Sequence, residues 1–201
     1  MNKYEERSLS AYNKKAVNYD SSFEGRFTSS FKSLLLETVP IETGANVLDI
    51  ACGNGRLLNM FAERYRFSGY GTDLSDQMIE QARLLNPSMQ FSAGSCEHIS
   101  LPDDMFDVIT VCAAYHHFPF VDRFSNEAYR LLKKGGKIYI AEVYYSPFVR
   151  ALCNPFVPLM KDGDVRFYSP NEIMNTLRKA GFQNQAFKTN EHIQIVSASK
   201  P

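Results

Sequence analysis

Val47-Leu48-Asp49-Ile50-Ala51-Cys52-Gly53-Asn54-Gly55-Arg56-Leu57-Leu58 decides the fold, because an apolar strand runs into a glycine turn and straight on into an apolar helix. A strand that ends this way brings backbone N–H groups and a helix N-terminus to one point, where a nucleotide can be held. Downstream, Phe67 to Thr72 reads as a second short strand ending in Asp73, twenty positions beyond Gly53. In a strand-helix-strand unit an acid at that place accepts hydrogen bonds from ribose hydroxyls. The glycines then choose among nucleotides. A dinucleotide site needs G-x-G-x-x-G, and here Gly53 and Gly55 are followed by Leu58, which disfavours a pyrophosphate cofactor.

Working outward, the chain up to Val39 reads as two helices, the second with Phe23, Phe27, Phe31, Leu34 and Leu35 near helical spacing. Beyond the glycine turn, Leu57, Leu58 and Phe61 mark one helix; Met78, Ile79, Ala82 and Leu85 mark another, capped by Ser75. Met89 to Ala93 predicts a third strand and Asp107 to Cys112 a fourth, whose Val-Ile-Thr-Val run suits burial on both faces. Phe124, Ala128, Leu131 and Leu132 predict a helix that stops at Gly135 and Gly136, before a fifth strand over Lys137 to Val143. Ser169-Pro170-Asn171-Glu172 is a capping box with proline at the first helical position, and that helix closes at Gly181. Phe182 to Lys188 and His192 to Ser197 then read as a terminal hairpin joined by Thr189, Asn190 and Glu191. The alternation predicts an α/β protein with a doubly wound, mostly parallel sheet and right-handed crossovers. Between Tyr144 and Tyr168 the rhythm breaks, with three prolines and many aromatic residues, as expected of an insertion over the carboxyl edge of the sheet. The expected organisation is one domain, 1–201, with a helical cover over 1–43 and the insertion over 144–168.

Composition narrows the classes. With 201 residues, 44% hydrophobic and 22% charged, the chain is long enough for one well-buried core. Its 22 basic residues equal its 22 acidic ones, so no global field favours nucleic acid or an anionic membrane. The four cysteines form no Cys-x-x-Cys pair and read as reduced thiols of a cytoplasmic protein. Met1 to Arg7 is polar, and no run approaches the ~18 apolar residues of a membrane span, so neither secretion nor insertion is expected.

Asp49 four residues ahead of Gly53 completes Asp-x-Ala-x-Gly-x-Gly, which resembles the first motif of class I S-adenosylmethionine-dependent methyltransferases. Asp73, Gly94-Ser95-Cys96-Glu97, Phe106 to Val111, Leu132 to Gly136 and Ala180-Gly181-Phe182 follow in compatible order. The small-molecule, quinone-biosynthesis group is the most similar, and Asn18-Tyr19-Asp20 resembles its N-terminal Tyr-Asp element. The resemblance implies a Rossmann-like sheet of seven strands with an antiparallel strand in the C-terminal hairpin, and S-adenosyl-L-methionine as cofactor. It also implies that Asp73 binds the ribose, that Gly53 and Gly55 let backbone approach the methionine moiety, and that Asp49 orients their loop or reaches the amino group through water. Leu74 and Met78 would flank the adenine, with Cys112 also against the cofactor. Two departures stand out: Ala51 replaces the family's usual glycine, and Ser95, beside Cys96, replaces an acid that reads the adenine edge. Tyr19 is the candidate for cation-π contact with the sulfonium.

A methyl sulfonium is already activated, so positioning is the protein's main task, and no metal is expected. His116 and His117, after the fourth strand, have the intrinsic pKa for taking a proton from an acceptor; as adjacent residues they cannot both face the site. The aromatic residues of the cover and insertion suit a small apolar or aromatic acceptor. Two other readings stay open: a cofactor-binding or regulatory protein without turnover, and a nucleotide-cofactor oxidoreductase. The acceptor atom and the oligomeric state are unread.

Overall fold

Val47 and Leu48 point to opposite faces of the same strand, and both are fully buried, so the sheet they belong to is covered on both sides. The computed structural model describes residues 1–201. Its strands are β1 (Asn46–Ile50), β2 (Ser68–Asp73), β3 (Gln90–Ala93), β4 (Phe106–Cys112), β5 (Leu132–Val143), β6 (Gln183–Asn190) and β7 (Ile193–Ser199). They form one sheet in the order β3-β2-β1-β4-β5-β7-β6. The first five pair in parallel, and β7 runs antiparallel between β5 and β6.

The helices are α1 (Lys3–Lys15), α2 (Phe23–Thr38), α3 (Arg56–Ala62), α4 (Asp76–Leu85), α5 (Val121–Leu131), α6 (Pro147–Cys153) and α7 (Pro170–Lys179). Strand alternation sorts them into two layers. Leu48, Ile109, Val111 and Ile140 join Phe124 and Leu131 of α5 and Ile173 and Leu177 of α7 in one core. Val47, Val108 and Ala141 join Phe31 and Leu35 of α2, Leu57 and Phe61 of α3, and Ala82 of α4 in the other. No helix is long and apolar enough to cross a membrane.

Two expected boundaries move. The helix before the fifth strand ends at Leu131, and β5 opens at Leu132, which pairs with Phe106 before the register jumps to Val108 opposite Lys137. Leu132 is fully buried, so the sheet captures it ahead of the glycines, and Gly135, at φ +79°, shapes the irregular stretch instead of stopping a helix. The terminal hairpin is tighter than expected: β6 runs on to Asn190, leaving Glu191, at φ +51°, and His192 as the turn.

Strand succession reverses between β1 and β4, and in such sheets the crevice at the carboxyl ends of the two diverging strands is where ligands bind. Helix α1 lies over that crevice. It buries none of its own residues and is held largely by polar contacts.

Candidate active site

Beyond β1 the chain turns sharply through Ala51 (φ +58°), Gly53 (φ +53°) and Gly55 (φ +74°). The two glycines serve different neighbours. A Cβ on Gly53 would meet only the Met78 sulfur, 4.0 Å away, so its backbone faces open space. A Cβ on Gly55 would come within 2.8 Å of Asn86 Nδ2 and 3.1 Å of Ala82 Cβ. Gly55 therefore stands where α3 approaches α4, behind the turn, and of the two glycines Gly53 is the one that lines the cleft.

Asp73 closes the turn from the side. One carboxylate oxygen accepts the Gly53 N–H at 2.8 Å and the other accepts the Ser75 N–H at 2.9 Å. Ser75 in turn accepts the Met78 N–H as the cap of α4 and donates its hydroxyl to Asn13 of α1. Burial raises the Asp73 pKa, while the backbone donors oppose the shift. Asp49 lies deeper, 1% exposed, and accepts the Thr110 hydroxyl at 2.6 Å. Burial pushes its carboxyl up to about 7, against the Thr110 hydrogen bond. It braces β1 against β4 without reaching the cleft.

The cleft opens beyond the carboxyl ends of β1, β2 and β4, with Glu5, Ser8 and Tyr12 of α1 on its wall. Tyr19, Ala51, Gly53, Asp73, Leu74, Met78, Ser95, Cys96 and Cys112 all line it, and so does His117. Burial pushes the Cys112 thiol up to about 12 and raises that of Cys96 as well, so neither is a thiolate nucleophile. The Ser95 hydroxyl donates to Glu5 of α1 at 3.1 Å. A carboxylate thus reaches the place where the resemblance expects one, from a different element. Close by, Glu97 Oε1 is buried with no partner. Asn54 of the turn donates to Asp20 at 3.0 Å, tying down the Tyr19 segment. The Lys32 ammonium sits 5.8 Å from the Tyr19 ring centroid, so that ring already faces a cation.

At the other end of the cleft the two histidines part company. His117 Nε2 shares a hydrogen bond with the Tyr12 hydroxyl at 3.1 Å, and its Nδ1 has no partner. Burial, then the neighbouring His116, pulls the His117 pKa well below its ordinary 6.5, so the ring is the free base at neutral pH. His116 turns away from the cleft, its Nδ1 2.8 Å from a buried Glu142 oxygen and its Nε2 3.5 Å from Asp164. Burial opposes its protonation, but the Glu142 carboxylate outweighs burial and leaves the pKa raised. Of the two expected base candidates, only His117 meets the cleft. One donor atom from each of His116, His117 and Asp164 lies within 4.8 Å of the others, the residue types of a two-histidine, one-carboxylate metal set.

Residues 48–140 match the family model of a methyltransferase domain. In that region the chain is similar to class I S-adenosylmethionine-dependent methyltransferases. The chain is 33% identical over 110 residues to 2-methyl-6-phytyl-1,4-hydroquinone methyltransferase of Synechocystis, covering 53% of this chain and 34% of that one. It is 27% identical over 154 residues to a ubiquinone/menaquinone biosynthesis C-methyltransferase of Rickettsia bellii, covering 71% of this chain and 58% of that one. It therefore spans less than two thirds of the length of either relative. The crystal structure of the YcgJ protein of Bacillus subtilis shares the fold at TM-score 0.74 and 20% identity, over 86% of this chain and 99% of that one.

The cleft also holds residues that the sequence pattern alone did not point to. Glu5, Ser8, Thr72 and Pro119 line the cleft, and Glu142 and Asp164 hold His116 from behind. A signal for Glu142 existed: β5 neighbours β4, so an acid at the end of the fifth strand falls beside the residues that follow the fourth. For Glu5 and Asp164 there was none, since both come from segments without strand register.

Proposed function

We propose that this protein moves the methyl group of S-adenosylmethionine to a small, apolar or aromatic acceptor held between Tyr12, His117 and the 144–168 insertion. The observation that carries the reading is a single cleft with the Gly53–Asp73 pair at one end and a neutral, partly buried histidine at the other. The cofactor end fits its ligand: Gly53 leaves room for close backbone approach, and each Asp73 oxygen, holding one N–H, keeps a further lone pair for a ribose hydroxyl. The Glu5 and Ser95 pair is suited to the exocyclic amine of adenine, with Leu74 and Met78 against the ring. The two relatives, a hydroquinone methyltransferase and a ubiquinone/menaquinone biosynthesis C-methyltransferase, support an aromatic acceptor.

Bound S-adenosylmethionine supplies an electrophilic methyl group on sulfur. The chain's own residues align the acceptor with it and keep water out, and positioning of this kind is worth on the order of 7 kcal/mol. A proton released by the acceptor is taken up at His117, whose Nε2 is already hydrogen-bonded to Tyr12. His116, held by Glu142, lies beside the His117 ring, whose pKa burial lowers first and His116 lowers further.

The test begins with calorimetric titration of S-adenosylmethionine, S-adenosylhomocysteine and NADH in parallel, followed by labelled-methyl transfer to a panel of hydroquinones. Binding of the first two alone is expected; NADH binding alone would overturn the reading. His117→Gln should lower turnover by roughly 100-fold with cofactor affinity kept. Because the His117 pKa lies below 6.5, the wild-type rate should hold as pH falls through 6.5 and drop only further down. Unchanged turnover in the variant would remove the base.

A further inference from the structure

Helix α6 buries none of its residues. Along it and the turn that follows, Phe148 (78% exposed), Leu152 (62%), Phe156 (64%) and Leu159 (75%) recur at helical spacing, with Met160 next in line. Lys161 follows directly and enters a groove along α1 that also holds Lys3, Arg7 and Lys14. These four basic side chains are exposed, and Arg7 donates to the Pro158 carbonyl at 3.1 Å, which joins groove and apolar ridge into one surface. Of the acids in the groove, Asp162 is taken by Lys15, leaving Glu6 alone against the four.

We propose that this surface docks the chain on an anionic lipid bilayer, with Phe148, Leu152, Phe156 and Leu159 entering the interface and Lys3, Arg7, Lys14 and Lys161 lying against its headgroups. Exposed apolar side chains edged by basic ones combine the two forces that hold a protein at such a surface. A second copy of the chain fits the same patch poorly, because a two-fold contact would press the basic rim against its own copy. The chain's zero net charge hides this asymmetry. The insertion carrying the ridge also carries Asp164 to His116, so docking would place the cleft next to an apolar acceptor dissolved in lipid. That consequence rests on the proposed function; the docking itself does not.

Flotation of the full chain with phosphatidylcholine vesicles, with and without phosphatidylglycerol, tests the proposal. Binding to the phosphatidylglycerol vesicles is expected, weakening by about fivefold for each basic residue neutralised, as in Lys161→Gln or Lys14→Gln. The exposed double variant Leu152→Asp/Phe156→Asp should lose binding while keeping its thermal transition and its S-adenosylhomocysteine affinity. Three results would overturn it: no binding to either vesicle, binding unaffected by the double variant, or concentration-dependent self-association in sedimentation that the double variant abolishes. None of these readouts needs methyl transfer, so the docking surface and the cleft chemistry fail separately.

Discussion

At the Asp73 end of the cleft the walls are set by the ends of β1 and β2, where one carboxylate accepts the Gly53 N–H of the glycine turn and the Ser75 N–H at the start of α4. At the His117 end they are side chains from segments far apart in sequence: Tyr12 on α1, His116 and His117 after β4, Glu142 on β5 and Asp164 in the insertion. The first end hangs from the sheet, with Asn13 and Glu5 of α1 added at its edge. The second depends on hydrogen bonds that cross from α1 and the insertion, neither of which is part of the sheet. A cofactor grip set by the sheet and an acceptor hold set by outlying segments follow from that division.

The largest effect expected at the Asp73 end comes from Asp73→Ala. It removes two acceptors for ribose hydroxyls and leaves the Gly53 and Ser75 N–H groups unpaired, so S-adenosylhomocysteine affinity should fall by about 100-fold or more. Calorimetry on a variant whose thermal unfolding stays cooperative would measure it. Unchanged affinity would break the comparison, since that end would then not be the grip.

A smaller effect separates the two glycines. Gly55→Ala places a methyl against Asn86 and Ala82 at φ +74° and should cost about 2 kcal/mol of stability, seen in denaturant unfolding, with a lesser effect on ligand affinity. Gly53→Ala meets open space, so its stability cost should be the smaller and its affinity loss the larger. Equal behaviour of the two would put both glycines against the ligand.

The contrast between the two ends is also a contrast in what could be read beforehand. The β1 strand, the glycine turn and Asp73 are contiguous or one strand-helix-strand unit apart, and their spacing carries their geometry. The same logic found Ser169-Pro170-Asn171-Glu172, whose capping box is present at the start of α7. It failed at Gly135 and Gly136, where burial of Leu132 overrode the local stop signal. The neighbours of His116 and His117 were readable as a pair but not as separate roles, because what distinguishes them is Glu142 and Asp164, brought in by sheet order and by a segment without periodicity. Glu5 opposite Ser95 escaped for the same reason.

The smallest effect concerns Ala51, where the chain departs from the family's usual glycine. Ala51 holds φ +58°, a left-handed conformation that costs a residue with a Cβ about 1 kcal/mol. It lines the cleft, so its methyl group occupies space beside the cofactor position. Ala51→Gly relieves the strain but also frees the unfolded chain, and the two terms oppose each other. Strain of about 1 kcal/mol against roughly 0.4–1 kcal/mol of entropy leaves a gain of about 0.6 kcal/mol at most, a rise of about two degrees in its unfolding temperature. If the Asp73 end is shaped here by the backbone of the turn and not by the Ala51 side chain, S-adenosylhomocysteine affinity will stay the same while stability holds or rises. A loss of affinity would instead show that the methyl group packs against the ligand, and that the Ala51 side chain helps to build this end of the cleft.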